Sequence, residues 1–211
     1  MDGVRETNVT LIGMGSIGIY SRMLAPLYGS EFSFVAPVQM SRTAPGQLTL
    51  AENEVLRRRK ARKPAVIFAL VGNPASHSIS PAIHNPRFQA EGVNAVYTLI
   101  ETSDFNDVAE AFNAGKRYAP AGLGVTAPFK EEAFHFVMRS GGEISLRARS
   151  TGSVNTIVRR PDGSLVADNT DVEGDYSFQD GAIGNWWATA AALDTNSIMP
   201  SGTYFPSLPG G

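Results

Sequence analysis

An unbroken apolar run, Ala65-Val66-Ile67-Phe68-Ala69-Leu70-Val71, ends against Gly72-Asn73-Pro74. A run of that length bounded by turn residues reads as a buried strand. Gly72 and Pro74 mark a tight exit from it. Pro81 then stands where proline is favoured, in the first turn of a helix. The stretch is therefore a strand–turn–helix unit, and the chain is organised around it. Ser76, Ser78 and Ser80 fall in the connection, where hydroxyls and free backbone N–H groups converge on a spot suited to a carboxylate or other small anion. A serine-rich helix start is also how a plain N-cap reads.

Downstream the pattern alternates between strand and helix. Asn94-Ala95-Val96-Tyr97-Thr98-Leu99-Ile100 is a strand candidate. Ser103 or Asp104 caps a helix whose apolar positions, Phe105, Val108, Ala109 and Phe112, recur at helical spacing. Gly115 ends it. Gly122-Leu123-Gly124-Val125-Thr126 is a short strand, and Pro128 opens a helix with Ala133, Phe134 and Val137 on one side. Two strands, 155–159 and 165–167, flank the turn Pro161-Asp162-Gly163. The order predicts an α/β domain with a mixed sheet. Pro86 inside the first helix predicts a kink or a late start.

Composition narrows the function classes. A net charge of −2 over 211 residues gives no general attraction to nucleic acid or anionic membrane. No apolar run approaches the roughly 18–20 residues of a membrane span, and the N-terminus lacks a signal-peptide pattern. With no cysteine, and only His77, His84 and His135, neither disulfides nor a metal cluster is expected. A cytoplasmic soluble protein is the default.

The first fifty residues hold an ambiguity. Gly13-Met14-Gly15-Ser16-Ile17-Gly18 follows the candidate strand Val9-Thr10-Leu11-Ile12 and spells the Gly-x-Gly-x-x-Gly of dinucleotide-binding loops. That reading needs a second strand ending in an acidic residue about twenty positions on. The next candidate, Phe32-Ser33-Phe34-Val35, ends in Ala36-Pro37. Further on, residues 48–63 read as a helix that turns basic at Arg57-Arg58-Arg59-Lys60 and Arg62-Lys63. The run fits nucleic-acid binding or, more simply, a solvated helix end whose cations complement the helix dipole.

Four motifs, in order, resemble the substrate-binding domain of shikimate dehydrogenases. They are Gly72-Asn73-Pro74 with His77-Ser78-Ile79-Ser80-Pro81 and His84-Asn85; Val125-Thr126-Ala127-Pro128-Phe129-Lys130-Glu131; Gly152-Ser153-Val154-Asn155-Thr156; and Asp168-Asn169-Thr170-Asp171 with Gly174. Gly13-Met14-Gly15, Ser21-Arg22, Gly29-Ser30 and Ala44-Pro45-Gly46-Gln47 are similar to the C-terminal end of type I 3-dehydroquinate dehydratases, a TIM-barrel family. The two families are consecutive enzymes of the shikimate pathway and occur fused in this order. The resemblance implies a mixed-sheet, shikimate dehydrogenase N-terminal-type domain at 65–174, preceded by a partial TIM-barrel end piece at 1–50 and a basic linker helix at 51–64. An unmatched tail, 175–211, is expected to be poorly ordered apart from a short helix around 186–193.

The implied reaction is NADP-linked interconversion of 3-dehydroshikimate and shikimate, in which a base takes the hydroxyl proton as hydride leaves the same carbon. By resemblance Lys130 and Asp171 are the proton-transfer pair. Lys130 lies in the first turn of its helix, where the helix dipole disfavours its charged form. Ser78 and Ser80 hold the substrate carboxylate, and Thr126 and Asn155 contact the ring hydroxyls. In the end piece Arg22, Thr43 and Gln47 map onto dehydratase substrate contacts, Thr43 standing where serine is common. That family's Schiff-base lysine has no counterpart here. Gly124 replaces an asparagine that many dehydrogenases carry, which leaves shikimate against quinate open. His77 and His84 read as structural polar residues near the pocket wall. No strand, glycine-rich loop and helix for NADP follows 174, so the chain alone is expected either to need a cofactor domain in trans or to bind shikimate-like acids without turnover.

Overall fold

The computed structural model describes residues 10–172, apart from 11, 16–17, 29, 31, 45, 56–65 and 116–118. The basic run 57–63, the tail 175–211 and the helix expected near 186 lie outside the described residues. The apolar run forms β1 (Val66–Gly72), and the serine loop leads from it into α3 (Ser80–Ala90). It follows α1 (Gly18–Leu24) and α2 (Leu50–Val55) in the chain. Then come β2 (Ala95–Glu101), α4 (Phe105–Asn113), β3 (Gly122–Val125) and α5 (Lys130–Arg139). The domain closes with β4 (Glu143–Ile144), α6 (Leu146–Thr151), β5 (Thr156–Arg159) and β6 (Leu165–Asp168).

These strands make one sheet in the order β2-β1-β3-β5-β6-β4. The two helical crossovers put β2 and β3 parallel to β1, one on each side. The hairpin runs β5 antiparallel to β3 and to β6, and β4 is parallel to β6, so the sheet is mixed as expected. Gly163, at φ +87°, makes the hairpin turn that a side chain would strain. Asp104 caps α4 by accepting from the Asn106 N–H at 2.9 Å. The helix after Pro128 begins two residues later, at Lys130, and buries Phe136 beside Ala133 and Val137, while Phe134 is only partly buried. Helix α3 runs through Pro86 from Ser80 to Ala90, so there is no late start. The short β4 and α6 are absent from the sequence reading: two residues carry no period, and α6 buries Ala148 alone.

The main core lies between the sheet and helices α4 and α5, with Phe105, Phe112, Leu123, Val137 and Ile157 fully enclosed. Strand β2 is an edge, and its unpaired backbone is a liability. Asn85 resolves part of it, its Oδ1 accepting from Tyr97 N at 2.7 Å and its Nδ2 donating to Tyr97 O at 2.9 Å. The N-terminal piece covers more. Ile19, Met23 and Leu48 cluster with Leu99, while Leu24 and Leu27 cluster with Ile67 and Val96. Side chains alternate across a strand, so α1 and the turn after it reach both faces of the sheet edge. The candidate strand at 32–35 is not one; the piece contributes only a parallel bridge between Ala36 and Thr49. Thr49 and Glu52 form a capping box for α2, through bonds of 2.7 and 3.2 Å.

Because Met23 is 1% exposed and belongs to the core shared by both pieces, Met23→Ala is expected to cost about 2–5 kcal/mol in urea unfolding. The transition stays single. A separate early transition for the N-terminal piece would show that the two do not share a core.

Candidate active site

The candidate site is set by backbone pairing at one end of the sheet. Val71 and Val125 are partners at the C-terminal ends of β1 and β3, so the loops that leave them run side by side. Thr126 N–H donates to Val71 O at 2.9 Å, and Asn73 N–H to Ala127 O at 3.0 Å. A Cβ on Gly72 would lie 2.3 Å from Thr126 Cγ2, so glycine permits this approach. On the other side Val125 N–H donates to Asn155 O at 2.7 Å, Asn155 N–H to Asp168 O at 3.1 Å, and Val154 N–H to Lys130 O at 2.9 Å. These bonds tie Thr126, Lys130, Asn155 and the segment after β6 into one cluster.

Within it Lys130 Nζ meets Asp171 Oδ2 at 2.5 Å, across 41 residues of chain. Both side chains keep access to solvent, 35% and 41% exposed, so the pair can reach a bound molecule. Asn155 uses its side chain to hold the segment carrying Asp171. Its Nδ2 donates to Thr170 Oγ1 at 2.9 Å, and its Oδ1 accepts from Thr170 N at 3.1 Å. Asn169 donates to Ser153 Oγ at 2.8 Å and Thr151 Oγ1 at 3.1 Å, while its Oδ1 accepts from Asp171 N at 3.2 Å. Buried Asp168 takes the Ser145 hydroxyl, the Asn169 N–H and an ion pair with Arg147. Ser145, Arg147, Asp168 and Asn169 were not read as site residues from the sequence. The Asp-Asn-Thr-Asp run is the available signal, and within it Asn169 holds Asp171 directly by accepting its backbone N–H.

Ser78 and Ser80 also come together, their hydroxyl oxygens 3.0 Å apart. The N-cap of α3 is Ile79 and makes no side-chain cap, so the plain N-cap reading fails in its simple form. Ser78 Oγ instead accepts from Ser80 N–H at 3.2 Å. Upstream, Glu101 Oε2 accepts from Ala75 N–H and Ser76 N–H, both at 2.8 Å. Partial burial raises the Glu101 pKa, but hydrogen bonds from Ser76 and Ala75 and the nearby His77 outweigh it, and the carboxyl sits below its ordinary range. A cavity of about 550 Å³ opens beside this loop, with Ser78, Glu101, Leu99, Gln47, Leu48 and Arg42 among its walls. Lys130, Asp171, Thr126 and Asn155 do not line it, so it is not the enclosure of the Lys–Asp pair.

In the N-terminal piece Thr43 and Gln47 meet, Gln47 Oε1 accepting from Thr43 N at 2.7 Å and Thr43 Oγ1 at 3.1 Å. Arg22 is buried, its Nε donating to Gly13 O at 3.0 Å. The Gly13–Gly18 loop does not fit a dinucleotide. None of its described residues follows a strand. A Cβ on Gly18 would lie 2.6 Å from Gly13 O, and one on Gly46 would lie 2.0 Å from Gly15 O. These glycines serve close packing of the chain against itself.

This arrangement is an α/β unit with an ion-paired lysine at its open rim. Residues 70–157 match the family described as the shikimate dehydrogenase substrate binding domain, and residues 2–62 match type I 3-dehydroquinase. The chain thus joins parts of these two families, in that order. Its relatives include the bifunctional 3-dehydroquinate dehydratase/shikimate dehydrogenase, chloroplastic, of Arabidopsis thaliana, 32% identical over 83% of this chain and 29% of the relative. The pentafunctional AROM polypeptide of Mycosarcoma maydis is 33% identical over 76% of this chain and 9% of its own length. Shikimate dehydrogenase (NADP(+)) of Hahella chejuensis is 44% identical over 51% of this chain and 38% of its own. The chain thus spans well under half the length of each of these relatives. No described helix is long and apolar enough to cross a membrane.

Neither histidine of the first motif joins the Lys–Asp cluster. His77 is exposed. His84 is 3% exposed and stacks on Tyr97, ring centroids 4.5 Å apart, which places it in the core rather than on a pocket wall. Burial, with the charge of Arg87 adding to it, lowers its pKa from 6.5 to about 4. Between those values the unfolded chain binds a proton that the native one excludes. Stability is therefore full above about pH 6.5 and declines by about 3 kcal/mol as pH falls to about 4. His84→Phe, which keeps the stacking, is expected to flatten that slope in urea midpoints taken across the range. A slope unchanged by the substitution would assign the dependence to other groups.

Proposed function

We propose that the chain binds shikimate and 3-dehydroshikimate and carries the proton-transfer half of their NADP-linked interconversion, in a cytoplasmic setting. The observation that supports this is the Lys130–Asp171 pair, brought within 2.5 Å by the same backbone bonds that gather Thr126 and Asn155. Ser78 and Ser80 donate their hydroxyls to the substrate carboxylate. Thr126 and the remaining donor of Asn155 face the ring hydroxyls. In the oxidising direction the Lys130 ammonium passes a proton to Asp171 Oδ2 beside it, and Nζ, now a neutral amine, takes the proton of the reacting hydroxyl. In the reducing direction the same pair returns a proton to the oxygen. NADP would accept the hydride, and in this reading the chain alone holds the substrate without oxidising it.

The dehydratase contacts read at Arg22, Thr43 and Gln47 are a remnant in this proposal. Arg22 donates to the Gly13 carbonyl, and Thr43 and Gln47 bond to each other.

Calorimetric titration of shikimate, with quinate beside it to read the effect of glycine at 124, tests the proposal. Charge-assisted bonds to a carboxylate contribute about 1.5–3 kcal/mol, so Ser78→Ala is expected to weaken binding about tenfold or more. No NADPH accumulates with the chain alone. Binding untouched by Ser78→Ala would overturn the site assignment, and NADPH formation would overturn the absence of turnover.

A further inference from the structure

Resting on that functional reading, we propose that Glu101 is a positioning residue: its carboxylate sets the loop that carries Ser78 and Ser80 to their ligand. Glu101 ends β2, and the parallel register places it opposite Gly72, where the serine loop begins. One oxygen, Oε2, accepts from both Ala75 N–H and Ser76 N–H at 2.8 Å. Adjacent backbone N–H groups aimed at one point form an anion cradle. Here the protein's own carboxylate fills it.

Two consequences follow for the ligand. The Ala75 and Ser76 amides are occupied, so the donors left to an incoming carboxylate are the hydroxyls of Ser78 and Ser80. The geometry of those hydroxyls is inherited from the held amides, because Ser78 N–H donates to Ala75 O at 3.0 Å and Ser78 Oγ meets Ser80 Oγ at 3.0 Å. Glu101 thereby acts on binding through Ser78 without touching the ligand carboxylate, which its own charge would repel. The residue lies outside the four motifs that carried the family resemblance, at the end of an apolar strand, and shares a cavity wall with Ser78.

The test is shikimate titration into the full chain for wild type, Glu101→Ala, Glu101→Gln, Ser78→Ala and Glu101→Ala/Ser78→Ala, with amide hydrogen exchange on residues 73–80. Glu101→Ala is expected to weaken binding about tenfold. Glu101→Gln recovers part of the loss, because its Oε1 can accept the same two N–H groups. The losses in the double variant are less than additive, since Glu101 acts in part through the hydroxyl that Ser78→Ala removes. Exchange at Ala75 and Ser76 accelerates in Glu101→Ala and slows again in Glu101→Gln. Wild-type binding retained in Glu101→Ala, or losses that add in the double variant, would overturn this inference alone. A wild-type chain that does not bind shikimate overturns the functional reading and this inference with it.

Discussion

Parallel pairing of β1 with β3 is the constraint on which the rest depends. It sets two strand ends next to each other with their carbonyls and amides matched, and the Thr126 N–H to Val71 O bond carries the pairing one residue past the sheet. Antiparallel β5 then locks to β3 by donating and accepting at the same level. Lys130 and Asp171, which no local sequence contact relates, are brought together as a result. Loops supply the side chains, but the ladder fixes where those loops start.

The two aspartates that bracket this segment illustrate a division of labour. Asp168 is buried, and its carboxylate is taken up by Arg147, Ser145 and the Asn169 amide. A buried charge without such partners would be strongly destabilising, so these bonds are obligatory to the fold. Asp171, three residues on, is two-fifths exposed and meets Lys130. A pair at that exposure contributes little to stability. What it can do is present a proton carrier and its acceptor at a rim that solvent and a ligand both reach.

Much of this was legible in the sequence, and the gaps have physical reasons. The alternation of apolar runs with Gly and Pro punctuation located β1, β2, β3, the hairpin and three helices, because each buries enough side chains to leave a period. Strand β4 and helix α6 bury Ile144 and Ala148 only, and no periodicity marks them. Lys130 and Asp171 were readable through motif order. Glu101 was not, since its partners are backbone N–H groups of a loop 25 residues away, and backbone donors leave no trace in side-chain identity. The Gly-x-Gly-x-x-Gly loop was the opposite case: a pattern was visible, yet Gly18 and Gly46 are small because carbonyl oxygens of the same loop press on them.

That packing bears on why the N-terminal piece is folded against the sheet. Edge strand β2 exposes backbone on its outer side, and Asn85 pairs with Tyr97 alone. Leu99 and Val96 on its two faces need further cover, which Ile19, Met23, Leu24 and Leu27 provide. Burying a Leu or Met side chain contributes about 1.5–3 kcal/mol. Four such residues on an edge are a large fraction of a typical domain's net stability of about 5–15 kcal/mol. The piece therefore has a structural use that is independent of its chemistry. Its glycine loop must stay compact to keep α1 at that edge, and close packing accounts for glycine at 13, 18 and 46, while a φ of +75° accounts for glycine at 15.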